Sequence, residues 1–310
     1  MKPQLHVFDD FHIRGASAPE WKQEYLQISP GLMRSALLEW STDQVHVYRK
    51  WMSERVVQRG ELPQGQLCFA TFGKEGAGQM RVQGRKFEAG DLLILRGGEE
   101  FEFQRPAGFE MLAVTFGLES FREFLEASGS HPQVLRATAG GFIRPSAGAL
   151  DELRRKMGQQ LSKDQASQAI ELLHVVRHML AGASLAPIQR AASFTAAQVV
   201  RECQRIATSK DREQPVGIDE LCTRLQTSRR TLQNSFQQVA GTSPLLYLRN
   251  VRLNEVRRGL MSTPRDALSV SRAAMDVGFD HLGHFTGNYK KLFGESPSLT
   301  PRPVSTNRAR

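Results

Sequence analysis

A pattern written twice between residues 218 and 297 constrains the fold of this 310-residue chain more than any other feature. The first copy runs Ile218-Asp219-Glu220-Leu221-Cys222, Leu225 and the cap candidate Ser228, then Leu232, Phe236 and Val239, and closes on Gly241-Thr242-Ser243-Pro244. The second runs Val270-Ser271-Arg272-Ala273-Ala274, Val277 and the cap candidate Asp280, then Phe285, Tyr289 and Leu292, and closes on Gly294-Glu295-Ser296-Pro297. The offset is 52 residues up to the cap and 53 beyond it. Each copy reads as a short helix, a turn, a side chain able to accept bonds from free backbone N–H groups, and a longer helix. That order is a helix-turn-helix, and the second helix of each is the one suited to a DNA groove.

Helical projection assigns the faces. With Leu232 at zero, Phe236 and Val239 fall within about 40° of it and form a buried stripe. Arg230, Gln233, Asn234 and Gln237 fall opposite. One guanidinium and three amides are the groups that bond guanine and adenine edges in the major groove, so Arg230, Gln233 and Asn234 are the main base-contact candidates. A solvated helix face has the same polarity, and it is the duplication that favours the DNA reading.

In the second copy, Phe285, Tyr289 and Leu292 turn inward, leaving Gly283, Gly287 and Lys290 on the outer face beside His284, Thr286 and Lys291. Each glycine inside a helix costs about 1 kcal/mol relative to alanine. Either this helix is weakly stable, or the missing side chains let its backbone approach the duplex while Lys290 and Lys291 meet phosphate. The second reading is the expectation. His281 and His284 lack a third ligand nearby and read as cap and groove-edge residues. The candidate DNA-binding set is Ser228, Arg229, Arg230, Thr231, Gln233, Asn234 and Gln237 in the first copy. In the second it is His281, Leu282, Gly283, His284, Thr286, Gly287, Lys290 and Lys291.

These residues carry a resemblance. From about 196 to 300 the sequence is similar to the DNA-binding domain of the AraC family of bacterial transcriptional regulators. It matches at Leu221, Ser228, Leu232, Phe236, Gly241-Thr242-Ser243-Pro244, Tyr247-Leu248, Arg252-Leu253, Ala274, Gly278-Phe279, His284-Phe285, Tyr289-Lys290-Lys291, Phe293-Gly294 and Ser296-Pro297. Asn250-Val251-Arg252-Leu253-Asn254 and His281-Leu282-Gly283-His284-Phe285 resemble the branch that includes ethanolamine-operon regulators. Where most of the family carries an arginine on the last recognition helix, this chain has Gly287. The resemblance implies binding to double-stranded promoter DNA, a homodimer formed through the N-terminal domain, contact with RNA polymerase, and control by a small molecule or partner protein.

Charge follows the same division. Residues 1–193 hold 23 Lys and Arg against 22 Asp and Glu, whereas residues 194–310 hold 18 against 10. A basic domain joined to a nearly neutral one is the electrostatic footprint of nucleic-acid binding. Cys68, Cys203 and Cys222 form no CxxC, so neither a disulfide framework nor a zinc site is expected, and the cysteine cluster of a DNA-repair methyltransferase is missing. No apolar run has the length of a membrane span, and Met1-Lys2-Pro3-Gln4 does not open like a signal peptide, so a cytoplasmic protein with no membrane partner is expected.

From Ser35 to Phe116, short apolar runs alternate with Gly, Pro and charged turns: 36–40, 45–51, 66–72, 92–95, 101–103 and 111–116. This spacing predicts a β-sandwich or barrel. The turn Ala89-Gly90-Asp91 resembles one in cupin-like barrels, which form the sensor half of many AraC relatives. A cupin metalloenzyme needs several inward histidines, and none occurs between His46 and His131, so no catalysis, cofactor or metal is expected. Residues 1 to about 30 show no clear period. Helices are predicted over 119–128, 147–161 and 165–181. In the last, Ile170, Leu173, Val176, Arg177 and Leu180 form a stripe that either packs on the barrel or pairs with a second subunit, the reading the family favours. His174 and His178, four apart, read as structural.

The expected fold class is α+β: an N-terminal cupin-like β-barrel with following helices (1–185), a linker (186–195), and an all-α domain with two helix-turn-helix units (196–302). A helix from Pro244 to about Leu260, roughly 26 Å long, is expected to hold the two units about one DNA turn apart. The alternative function is an architectural protein that coats DNA with little sequence preference, motivated by the glycines of the last helix.

Overall fold

The structure is a computed structural model that describes residues 2–10, 22–73, 80–129, 134, 141–162, 169–183, 194–209 and 216–304. Residues 186–193 of the expected linker and the first turn expected from Gln165 lie outside that description. Phe194 and Thr195, assigned above to the linker, already belong to a helix.

Among the described residues the N-terminal strands are β1 (Gln4–Phe8), β2 (Lys22–Gln27), β3 (Ser35–Ser41), β4 (Val45–Met52), β5 (Val56–Glu61) and β6 (Gln66–Phe72). They continue with β7 (Arg81–Val82), β8 (Arg85–Lys86), β9 (Leu92–Arg96), β10 (Glu100–Arg105), β11 (Phe109–Gly117) and β12 (Gly141–Ile143). They pair antiparallel in two sheets, of order β1-β3-β4-β11-β6-β9-β12 and β2-β5-β10-β7-β8. All six predicted apolar runs lie within strands.

The larger sheet is buried on both faces, which is why β6 is apolar nearly throughout. Leu67 and Phe69 face the covering helices, while Cys68, Ala70 and Phe72 face the barrel interior with Phe87, Phe101 and Phe103. A period of two with both phases apolar is the pattern of a strand between two layers. In the predicted turn before β9, the buried Asp91 carboxylate accepts from the Glu88 N–H at 3.1 Å and from Arg144 Nη2 at 2.6 Å, tying the turn to the residue after β12.

Helices α1 (Leu118–Ala127), α2 (Ala147–Gln160) and α3 (Ala169–Gly182) cover the outer face of that sheet. The α3 stripe differs from the predicted one. Leu172, Val176, Met179 and Leu180 enter the core, whereas Ile170 is 63% exposed and Arg177 reaches the Ser128 carbonyl. The i, i+4, i+7 series starting at Leu172 encloses more apolar surface than the one starting at Ile170, and the sheet takes it. His174 and His178 are both exposed, and the His174 ring packs edge-on against Phe124, centroids 5.0 Å apart.

The C-terminal part comprises α4 (Phe194–Ala207), α5 (Ile218–Arg224), α6 (Arg229–Ala240), α7 (Pro244–Ser262), α8 (Val270–Met275) and α9 (Leu282–Phe293), followed by a 3-10 turn at Pro297–Leu299. Ser243 caps α7, its hydroxyl accepting from the Leu246 N–H, and Pro244 opens the first turn, where its missing donor costs nothing. This helix of 19 residues is about 28 Å long and serves two cores. Tyr247, Leu248 and Val251 pack with Leu221, Leu232, Phe236 and Val239, while Leu253, Val256 and Leu260 pack with Ala274, Phe285, Tyr289 and Leu292. Apolar residues on more than one face of α7 are what two flanking subdomains require. The first core also receives Leu26, Ile28 and Val57 from the barrel.

Candidate nucleic-acid interface

Each helix-turn-helix forms where the sequence repeats. The turn of the first passes through Gln226 at φ 47°, and that of the second through Gly278 at φ 81°, 52 positions later. Thr227 N–H donates to the Cys222 carbonyl at 3.0 Å, and Phe279 N–H to the Ala274 carbonyl at 3.1 Å, at the same offset. The register then slips. Ser228 is the N-cap of α6 and accepts from the Thr231 N–H at 3.0 Å. The N-cap of α9 is His281, without a side-chain cap bond, and not the predicted Asp280. Asp280 is the one residue added in the second turn, between the left-handed Gly278 and the cap, and it shifts the offset to 53.

The inward faces are closed. Phe236 and Tyr289 are each 0% exposed, and their rings pack on Tyr247 and on Phe285 and Phe293. The outward faces are open. Ser228, Arg229, Arg230, Thr231, Gln233, Asn234 and Gln237 are exposed, as are His281, Gly283, His284, Thr286, Gly287, Lys290 and Lys291, with Leu282 half-buried.

These side chains are not equally free. Arg229 folds back onto Asp219 of α5, Nε to Oδ1 at 2.8 Å. Both partners are solvated, so releasing the arginine to a phosphate costs about 1 kcal/mol or less. The Thr231 hydroxyl meets the Ser228 hydroxyl at 2.9 Å, and the Thr286 hydroxyl donates to the Leu282 carbonyl at 2.9 Å, so both are engaged locally. Arg230, Gln233, Asn234 and Gln237 carry the polar face of α6. On α9, a Cβ added at Gly283 or Gly287 meets nothing within 4 Å. The fold therefore does not require glycine at either position, and α9 is a continuous helix of 12 residues despite both. The His281 and His284 rings lie edge to face, centroids 6.3 Å apart.

Two arginines, Arg252 half-buried and Arg257 buried, brace this surface from behind. Arg252 donates to the Gly278 carbonyl at 3.2 Å and stacks 5.0 Å from the Phe279 ring centre, fixing the second turn; burial, then Arg249, lowers its pKa. Arg257 binds Asp10, Glu295 at 2.7 Å and the Tyr289 hydroxyl at 3.3 Å. Burial opposes its charge, but Asp10, Tyr289 and Glu295 outweigh that and hold its pKa above the ordinary value. Tyr247 is pushed up to about 12, chiefly by burial.

Residues 221–302 match the family model described as a helix-turn-helix domain. The chain carries a helix-turn-helix domain there. The chain is 39% identical over 87 residues to the XylDLEGF operon transcriptional activator of Pseudomonas putida, covering 28% of this chain and 27% of that protein. The chain thus spans about a quarter of the length of such relatives. The transcriptional activator NphR of a Rhodococcus species is 24% identical over 241 residues, 75% of this chain and 68% of that one. The solved AraC-like transcriptional activator CuxR aligns with 88% of this chain and all of its own at 14% identity and a TM-score of 0.43.

Sequence reasoning missed the residues that join the barrel to this domain. They lie in the stretch without period, at Asp10, Gln27, Ile28 and Gly31, and beside or within β5, at Arg55 and Arg59. One signal was present: Asn250 and Asn254, four apart on a helix with apolar residues on more than one face, are amides that burial obliges to find partners.

Proposed function

We propose that this protein is a sequence-specific DNA-binding transcription regulator that reads promoter DNA with α6 and α9 together. The observation that carries the reading is the pair of helix-turn-helix units on one shared helix, with closed apolar backs and open polar faces. In α6, Arg230, Gln233 and Asn234 read base edges while Ser228, Arg229, Thr231 and Gln237 position the helix. In α9, Gly283 and Gly287 admit the backbone to the duplex and Lys290 and Lys291 bind phosphate. His281, Leu282, His284 and Thr286 form its leading edge.

The remaining assignments follow the relatives. Their printed names make them operon activators, which favours activation through contact with RNA polymerase over the architectural alternative. Residues 1–185 act as the sensing and dimerising half in the cytoplasm, without catalysis, and 196–302 as the reading half. The sensing half buries Lys50, Gln58 and Arg105, which are bonded to Tyr25, Gln23 and Met111. No helix among the described residues is long and apolar enough to cross a membrane.

Selection of bound duplexes from random DNA, followed by competition with unselected DNA, tests the proposal. A regulator prefers its selected site by about 10³-fold or more. Equal binding to both pools would restore the architectural reading.

A further inference from the structure

We infer that the barrel is a positioning element for DNA reading: Gln27 and Arg55 hold the C-terminal ends of both recognition helices and set the spacing at which the two heads meet the duplex. The inference rests on the DNA-reading proposal above.

Three attachments carry it. At the end of α6, Arg55 Nη2 donates to the Ala240 carbonyl at 2.9 Å. At the end of α9, the Leu292 carbonyl accepts from Gln27 Nε2 at 2.7 Å and from the Gly31 N–H at 3.0 Å. Between them, the free edge of β2 pairs with amides of α7. Gln27 N–H donates to Asn254 Oδ1 at 3.1 Å, Asn254 Nδ2 donates back to the Gln27 carbonyl at 3.0 Å, and Asn250 Nδ2 donates to the Ile28 carbonyl at 3.2 Å. The Asn254 amide thereby stands in for the neighbouring strand that β2 lacks on that side.

The last carbonyls of a helix have no partner within it. Here the barrel supplies partners in both copies, to the last residue of α6 and to the last but one of α9. Each recognition helix ends on a left-handed glycine, Gly241 at φ 62° and Gly294 at φ 74°, and each glycine faces the barrel. A Cβ on Gly241 would lie 2.7 Å from Arg55 Nη2, and one on Gly294 would lie 2.9 Å from the Leu32 backbone nitrogen. The two heads meet along α7, a single rod about which each could rock. A second body tied to both heads and to the rod at three separate points removes that rotation. The clamp grips the C-terminal ends, while bases are contacted from the N-terminal part of a recognition helix, so the reading faces stay open.

The test uses the full-length chain and a duplex selected by the wild type from random DNA. That duplex is re-made with one base pair inserted or removed between its two contacted segments, and separately with the second segment scrambled. The wild type is expected to bind the altered spacings about tenfold or more weaker than the selected duplex. In the double variant Gln27→Ala, Arg55→Ala, which removes both side-chain donors, the spacing penalty falls to about threefold or less. Its affinity for the scrambled duplex, which engages the first head alone, stays at the wild-type value. Arg55→Lys keeps a donor and retains the penalty. If thermal unfolding shows that the double variant has lost its fold, Arg55→Ala alone is read in the same way. A folded variant that keeps the whole spacing penalty overturns the inference. A wild type that selects no duplex overturns the DNA-reading proposal instead.

Discussion

The two helix-turn-helix units share a frame and differ in chemistry. Both open on a short helix, turn through a left-handed residue at the same offset, bury an aromatic stripe against α7 and close on a left-handed glycine. The first presents a guanidinium and three amides behind a bonded serine cap; the second presents two glycines and two lysines behind an uncapped histidine. Duplication preserved what packing demands and released what faces outward. The comparison teaches that inward residues define the unit, while outward residues define what each unit does.

The largest expected effect tests the shared frame. Phe236→Ala and Phe285→Ala each remove a fully enclosed ring, and each is expected to cost about 3–5 kcal/mol in denaturant unfolding of the whole chain. A loss below about 1 kcal/mol at one site only would show that the two cores are not equivalent. Next comes the difference in chemistry. Arg230→Ala is expected to cost about 1–3 kcal/mol of binding and to relax preference at one base pair, whereas Lys290→Ala weakens all duplexes alike and lowers the salt dependence. An Arg230→Ala protein with unchanged base preference removes that residue from the reading face.

The glycines give a smaller effect with an unusual sign. Gly287→Ala has room for its methyl and should stabilise the free protein by up to about 1 kcal/mol, yet weaken DNA binding because the backbone no longer fits as closely. If stability and binding both rise, close backbone approach is wrong for α9. The tyrosines respond only in alkali. Tyr247 in the first core is raised from 10 to about 12, and Tyr289 in the second is raised too, in each case chiefly by burial. Because the folded state holds the phenolic proton more tightly, stability is unaffected below about pH 10 and falls between about 10 and about 12. Phenolate absorbance of these two tyrosines that develops near pH 10 while the protein stays folded would contradict their enclosure.

How much of this was legible in the sequence follows the same line between inward and outward. The repeat at 218–297 placed both heads because apolar spacing records packing, and the strands from Ala36 to Phe116 were visible for the same reason. Asp280 misled because a cap is set by backbone register, and one added residue moves the cap without disturbing the apolar pattern. The α3 stripe was partly misplaced: Val176 and Leu180 enter the core as expected, but Leu172 and Met179 complete the buried face in place of Ile170 and Arg177, which the apolar spacing around Ile170 had included. Of the clamp, only its α7 side, Asn250 and Asn254, left a trace in the sequence. Gln27, Gly31 and Arg55 act through carbonyls of residues about 185 to 265 positions away, and no local pattern records such a partner.

Hydroxyl-radical footprinting of the full-length protein on its selected duplex tests the central claim most directly. Two reading heads on one rod should protect two patches on the same side of the duplex, about one helical turn, or 34 Å, apart per bound monomer. A single protected turn, or two patches on opposite sides of the duplex, would contradict the account.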